Sequence, residues 1–443
     1  MMNLNAKTRS INLTVLVVLL PILFNFAIFF YSIFAKIPFG GSKGYGTIAY
    51  HLVDKGKYSL DGVNDTFVRP PLYPLFLVLP RALSEQHWQV CARFLQCLLG
   101  IMCSLMVFRI ANRVSGNRLI GLLSEVLYLS HLAVQAEHYA QRETVLFELI
   151  LLSLVYVLLT KEILDVKTVV IASLLSSALY LTRPTGILFL LVTLLVAFCQ
   201  SRTGKRIKYL LVSVVVFVVT ISPWQFYNYR AFSKITLSSS NSTGLNLYKG
   251  ASPVIQSIFP QIDVDYAGAY VARKLRSNGI HMRTEEYRAN AFFIKEAKRL
   301  VVQYPGHFFK KMFKQLFSFY SQVFTPFGRG RVVVDGERLI VQDYRFTFGL
   351  VELNHFVVMT ILIPFGMFEL VKMSGVTVIE HRFKVVSLLI FLFMTIVHML
   401  TFAETRFRLP LDGLLCVATG LFFAKHLSDR RLTLQKEGNS EYR

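Results

Sequence analysis

INLTVLVVLLPILFNFAIFFYSIF, residues 11–34, runs for 24 positions without an Asp, Glu, Lys or Arg. A bilayer core takes roughly 20 apolar residues of helix, so this stretch reads as a membrane span. Lys7 and Arg9 precede it. It is too long for the apolar region of a secretory leader and lacks a small-residue cleavage site, which makes it an uncleaved first helix with its N-terminus inside. Comparable runs lie near 90–110, 118–136, 143–160, 168–182, 184–200, 209–226, 347–371, 385–403 and 408–426. Ten spans place both termini in the cytoplasm. Residues 71–83 are apolar but short and proline-rich, as a re-entrant or interfacial helix would be.

The rest of the chain agrees with that start. Of its 443 residues 54% are hydrophobic and 17% charged, and the mean hydropathy is +0.50. Soluble chains carry about a quarter charged residues. The class is therefore an all-α polytopic membrane protein, and disordered, collagen-like and disulfide-framework classes are excluded. The five cysteines (Cys91, Cys97, Cys103, Cys199, Cys416) sit in apolar runs without metal-ligand spacing and read as packing residues. The net charge is +22. In a soluble chain that would point to nucleic acid, but here the bilayer accounts for much of it. The proposed cytoplasmic segments hold 19 of the 48 Lys and Arg, whereas the short outer loops hold Arg142, Arg183, Arg406 and Arg408.

This reading divides the chain into an N-terminal segment and first helix (1–34), a first outer loop (35–88), spans two to seven (89–226), a large outer loop (227–346), spans eight to ten (347–426) and a polar tail (427–443) that would fray. The large loop holds 18 Lys and Arg against 8 Asp and Glu. Long loops escape the positive-inside rule, so this excess points to anionic lipid headgroups or a phosphorylated substrate. Residues 285–303 read as an amphipathic helix. Residues 307–323, with Lys310, Lys311 and Lys314 among many Phe, read as a helix lying on the membrane surface. Asn64 and Asn241 stand in glycosylation patterns.

Ionisable residues gather at the outer membrane face: Asp54, Asp61, Asp65 and Arg69 in the first loop, Glu137-His138 and Arg142-Glu143 around the next, then Arg183, Glu404, Arg406 and Arg408. Charges beside hydrocarbon are costly unless they pair or face a watery cavity. Structural pairs, Arg406 with Glu404 or Arg142 with Glu143, explain any one of them. A shared site explains the set. Midspan charges are few, and Glu125 and Glu148 read as a pair with each other or with Arg109. That scarcity argues against a transporter, which would place ionisable groups near the midplane.

The motifs RPPLYPLFL (69–77), RETVLFELIL (142–151), LTRPTGILF (181–189), SPWQFYNYRAF (222–232), TGLNLYKG (243–250) and ETRFRLPLD (404–412) follow a tyrosine-bearing first-loop helix. In that order they resemble the polyprenyl-phosphate-sugar-dependent membrane glycosyltransferases of the GT-C fold, of the protein O-mannosyltransferase and aminoarabinose transferase type. The resemblance runs from position 11 to about 426. It implies a helix bundle with juxtamembrane helices around an outward-facing cavity, in a membrane such as the bacterial inner membrane. It implies a polyprenyl-phosphate-linked sugar as donor, membrane lipids as surroundings and no nucleic acid. The sugar passes with inversion to a glycolipid, polysaccharide or protein.

The chemistry needs a carboxylate base and positive charge on the departing phosphate. Arginine suits the phosphate because it offers two hydrogen bonds. The phosphate candidates are Arg69, Arg183, Arg406 and Arg408. Tyr73, His138, Asn228 and Tyr248 are further substrate-binding candidates by motif position. The family's usual base is an acid just before the first-loop tyrosine. Here that stretch reads Gly40-Gly41-Ser42-Lys43-Gly44-Tyr45 and holds none. Asp54, Asp61 or Asp65 from the same loop, or Glu143 or Glu137 from the second, would have to serve, or else the chain binds lipid phosphate without catalysis. Relatives that use a divalent ion make His51, Glu137, His138 and Glu143 a conceivable set of ligands, without a spacing motif of their own.

Overall fold

The computed structural model describes residues 2–40, 43–201, 203–236, 238–282, 284–373 and 377–440. Gly41, Ser42, Arg202 and Arg443, used in the sequence reading, lie outside these. Among the described residues six helices are long and apolar enough to cross a bilayer: Val15–Phe34, Trp88–Ser115, Arg206–Phe232, Leu350–Lys372, Val378–Leu400 and Thr405–His426. A seventh forms if Arg118–Ser130 and Leu132–His138, bent by 70° at their junction, count as one. The chain is an all-α polytopic membrane protein.

Ten full spans are not met by length. The runs expected at 143–160 and 168–182 become Thr144–Leu159, 16 residues, and Val166–Thr182, 17 residues. At 1.5 Å per residue these cover about 25 Å, short of a bilayer core. Their ends are set by polar residues that hydropathy alone passes over. Asp165 accepts the Thr168 N–H at 2.8 Å and starts one helix. Arg183 ends it, ahead of Pro184, which constrains its predecessor to extended backbone.

These short helices pack with Trp88–Ser115, Val378–Leu400 and the last helix in one apolar core, which includes Val107, Phe147, Leu152, Phe189, Phe391 and Leu414. Midspan polar groups are paired within it. Glu148 meets His138 at 2.9 Å and Glu125 accepts Ser104 at 3.1 Å, so neither the Glu125–Glu148 pair nor a pairing with Arg109 forms. Arg408 pairs with Asp412 at 2.9 Å, both wholly buried.

The large loop folds into its own cluster of Tyr248, Phe259, Val264, Tyr270, Val271, Phe293 and Leu300, joined by Phe402 from the last connection. The two amphipathic segments form helices Glu286–Gln303 and Pro305–Phe319. The second turns Phe309, Phe313 and Phe317 outward. Its Lys311 points inward instead and donates to the carbonyls of Met399, Leu400 and Thr401, at 2.7, 3.2 and 3.0 Å. It thus caps Val378–Leu400, where the helix dipole favours a cation.

An antiparallel hairpin, Gly328–Asp335 with Arg338–Phe346, follows and was not expected. Gly336, at φ +55°, makes its tight turn. The polar tail, expected to fray, continues as helix Asp412–Ser440.

Candidate functional site

Two helix ends bring the first charged pair together. Glu143 is the N-cap of Thr144–Leu159 and Arg183 the C-cap of Val166–Thr182. A helix N-terminus favours a carboxylate and a C-terminus a cation. Arg183 Nε donates to Glu143 Oε1 at 2.6 Å, and its Nη2 to Thr144 Oγ1 at 3.2 Å. The turn that follows depends on Gly186, where a Cβ would collide with the Leu179 carbonyl. The Arg183 guanidinium lies over the Phe147 ring, 4.8 Å from its centroid.

The segment between the first two long apolar helices, residues 35–88, closes over this pair. Tyr45, from helix Lys43–Lys55, stands edge-on to Tyr73 with ring centroids 5.0 Å apart. Its hydroxyl and the Glu143 carboxylate act on each other electrostatically. Arg69 lies over the Tyr45 ring at 4.9 Å. Burial, then the Glu143 charge, raise the Tyr45 phenol, so it remains a neutral donor. Burial alone would raise Glu143 too. Arg183 above all, then a backbone N–H, Tyr45 and Arg69, outweigh that and hold it at about 2.

Tyr45, Arg69, Glu143 and Arg183 form a wall shared by two cavities. One, of about 490 Å³, is mainly apolar, with Ile187, Leu188, Leu247, Val397 and Leu400 around it. The other, of about 560 Å³, is polar, with Arg142, Lys249, Asp263, Asp265 and Arg406. Arg406 sits among three acids: Glu404 at 2.6 Å, Asp263 at 3.4 Å and Asp265 at 3.5 Å. Lys249 pairs with Asp265, and Arg142 with Glu137 rather than with Glu143. Burial pushes Asp265 up, but Lys249 and Arg406 prevail and hold it at about 2.

Of the residues singled out in the sequence, Arg69, Glu143, Arg183 and Arg406 converge here. Arg142 lines the same polar cavity and Glu404 pairs with Arg406, while the remaining candidates lie elsewhere. Tyr73 is buried behind Tyr45. Asp54 is exposed on helix Lys43–Lys55. Asp61 builds a turn, accepting the Val63 and Asn64 N–H groups at 2.9 and 2.8 Å, and these bonds, with the Asn64 amide foremost, lower its carboxyl. Asp65 bridges to Ser59 in the same turn. His138 is buried on Glu148, Arg408 on Asp412, and Tyr248 against Phe293 in the loop core. Asn228 is fully buried with neither amide atom hydrogen-bonded.

Residues 68–227 match the family model of dolichyl-phosphate-mannose-protein mannosyltransferase. The resemblance to these mannosyltransferases therefore holds over the stretch that contains Arg69, Glu143 and Arg183, while Lys249, Asp263, Asp265 and Arg406 lie beyond it. No curated protein matches the chain.

Among solved structures, the chain is similar to the oligosaccharyltransferase AglB from Archaeoglobus fulgidus in complex with an inhibitory peptide and a dolichol-phosphate. Identity is 15% and the TM-score 0.47, over 91% of this chain and 48% of that one. The chain thus spans about half the length of AglB. It is also similar to ArnT from Cupriavidus metallidurans bound to undecaprenyl phosphate, with 14% identity and a TM-score of 0.39 over 90% of this chain and 77% of that one.

Among the described residues no group of three or more His, Cys, Asp and Glu is placed to hold a metal ion. The conceivable set is dispersed into pairs: His138 with Glu148, Glu137 with Arg142, Glu143 with Arg183. His51 lies on the first-loop helix against Tyr50.

Sequence reasoning passed over Lys249, Asp263 and Asp265. Lys249 stands in the motif TGLNLYKG (243–250), and Asp263-Val-Asp265 is the first acidic pair of a basic loop. That contrast was the available signal. Glu286 was also missed. It joins the two loops, accepting from Thr66 Oγ1, from Phe67 N at 3.0 Å and from Asn241 Nδ2 at 2.8 Å. Asn241 is thereby buried and engaged, unlike the exposed Asn64.

Proposed function

We propose that the chain is an integral membrane glycosyltransferase that moves a sugar from a polyprenyl-phosphate donor to a hydroxyl acceptor at the extracytoplasmic face, with inversion. The observation that carries this is the shared wall. An apolar cavity and a polar cavity meet at two arginines, which is what a ligand with a hydrocarbon tail, a phosphate and a sugar requires. The tail lies along Ile187, Leu188, Val397 and Leu400. The phosphate meets Arg183 and Arg69, and the sugar and acceptor occupy the polar side.

In this reading Arg183 and Arg69 stabilise the negative charge that gathers on the phosphate as the glycosidic bond breaks. Glu143 orients Arg183. A carboxylate held at about 2 by a guanidinium 2.6 Å away is a weak proton acceptor. Arg406, already facing three acids, shapes the polar side rather than taking the phosphate.

Binding of undecaprenyl phosphate to the purified protein tests the reading. Arg183→Ala is expected to weaken it by about tenfold or more, the loss of a charge-assisted bond of roughly 1.5–3 kcal/mol. Arg230→Ala, on a residue outside both cavities, serves as control. Equal affinity in wild type and Arg183→Ala would reject the assignment of the phosphate site.

A second reading, a non-catalytic lipid-phosphate binder, is favoured by one specific observation: Asp54, Asp61 and Asp65 all lie off both cavities, so no first-loop acid faces the site. It predicts the same binding without sugar transfer.

A further inference from the structure

We propose that Asp263, from the large loop, is the base that takes the acceptor's proton, in place of the acid that the first outer loop lacks. This rests on the transferase reading above.

The carboxylates that face the joined cavities are Glu143, Asp263 and Asp265. Two of them are closed by strong partners. Glu143 is bound to Arg183 at 2.6 Å, and Asp265 to Lys249 with Arg406 a further 3.5 Å away. Asp263 is held more loosely. One oxygen accepts the Asp265 N–H at 2.7 Å, as the N-cap of the turn Val264–Ala267. The other stands 3.4 Å from Arg406 Nη2, well beyond the 2.7–2.9 Å of a charge-assisted bond. Of the three it is therefore the carboxylate without a cation at hydrogen-bond distance, and so the one most able to accept a proton from an incoming hydroxyl.

Its place suits the reaction. Asp263 lines the polar cavity and not the apolar one, whereas Arg69 and Arg183 line both. A donor with its phosphate on the shared wall presents its sugar towards the polar side. An acceptor entering there attacks away from the leaving group, as inversion demands. The acceptor oxygen forms its bond to the anomeric carbon. The bond from that carbon to the phosphate oxygen breaks, its electron pair going to the phosphate. The hydroxyl proton passes to Asp263.

Asp263, Asp265 and Glu404 share the guanidinium of Arg406, and Glu404 is buried.

The experiment uses the full chain in proteoliposomes, with undecaprenyl-phosphate-linked hexoses and pentoses as donors and a lipid extract as acceptor. Asp263→Asn keeps the N-cap, because asparagine caps as well as aspartate, yet it cannot accept the proton. The expected result is a fall in transfer of about 10²–10⁴-fold with undecaprenyl phosphate affinity within about twofold of wild type, and partial recovery in Asp263→Glu. Transfer within about threefold of wild type in Asp263→Asn would overturn the assignment alone. A parallel loss of binding would overturn it in favour of a structural role. A wild type that binds undecaprenyl phosphate but transfers from no donor would overturn it together with the transferase reading.

Discussion

Arg183 Nε lies 2.6 Å from Glu143 Oε1, a guanidinium at the C-terminus of one helix against a carboxylate at the N-terminus of the preceding one. Both side chains are mostly shielded, 13% and 14% exposed. Each helix end favours the charge it carries, so the pair is fixed by backbone dipoles as well as by its own attraction.

Breaking this pair from either side should destabilise the protein unequally. Arg183→Ala leaves a shielded carboxylate without its main partner, a loss of about 3 kcal/mol. Glu143→Gln keeps the shape and one acceptor and should cost about 1–2 kcal/mol. Thermal unfolding in detergent measures both. Equal, negligible shifts would show that the pair does not hold these helix ends.

Arg408 gives the contrasting case. It is wholly buried on Asp412 and its Nη1 donates to the Phe319 carbonyl at 2.8 Å, so its role is structural. Arg408→Met should lose about 3–5 kcal/mol by leaving Asp412 buried and uncompensated. Arg408→Met combined with Asp412→Leu should recover most of the loss. Unfolding curves of the single and double variants decide it. A double variant no better than the single would refute the pairing argument.

Gly186→Ala should act through backbone crowding. The added methyl meets the Leu179 carbonyl, and the turn carrying Arg183 must shift. About 1–3 kcal/mol of destabilisation is expected, with weaker undecaprenyl phosphate binding. Wild-type stability and affinity would show that the turn does not position Arg183.

Glu286 predicts a pH dependence. Burial raises its carboxyl, against the hydrogen bonds from Thr66, Phe67 and Asn241, from the ordinary 4.5 to about 7. A folded value above the unfolded one means that the unfolded chain ionises first. The contribution is therefore fully present below about 4.5 and lost as pH rises to about 7. Glu286→Gln should flatten the stability profile across that window. A profile as steep as wild type would place the titration elsewhere.

The sequence made part of this legible. Long apolar runs marked the membrane class, and arginines beside them marked Arg69, Arg183 and Arg406 because charge at the edge of hydrocarbon stands out. Helix ends were less visible. Asp165 and Arg183 shorten runs that average hydropathy reads as full spans. Long-range partners were not visible at all. Glu148 meets His138 rather than Glu125, and Asp263 reaches Arg406 across 143 positions, because contact between distant segments depends on packing rather than on local pattern. The hairpin Gly328–Asp335 with Arg338–Phe346 did carry a local signal, a VVVDGERLIV stretch with a turn glycine at its centre, hidden within a loop read only for charge.

Transfer of radiolabelled sugar from undecaprenyl-phosphate-linked donors by proteoliposomes is the most direct test of the central claim. Wild type should transfer from at least one donor, and Arg183→Ala should reduce that transfer by about tenfold or more, in step with its weaker hold on the phosphate. Transfer unchanged in Arg183→Ala, or none from any donor by a wild type that binds undecaprenyl phosphate, would contradict it.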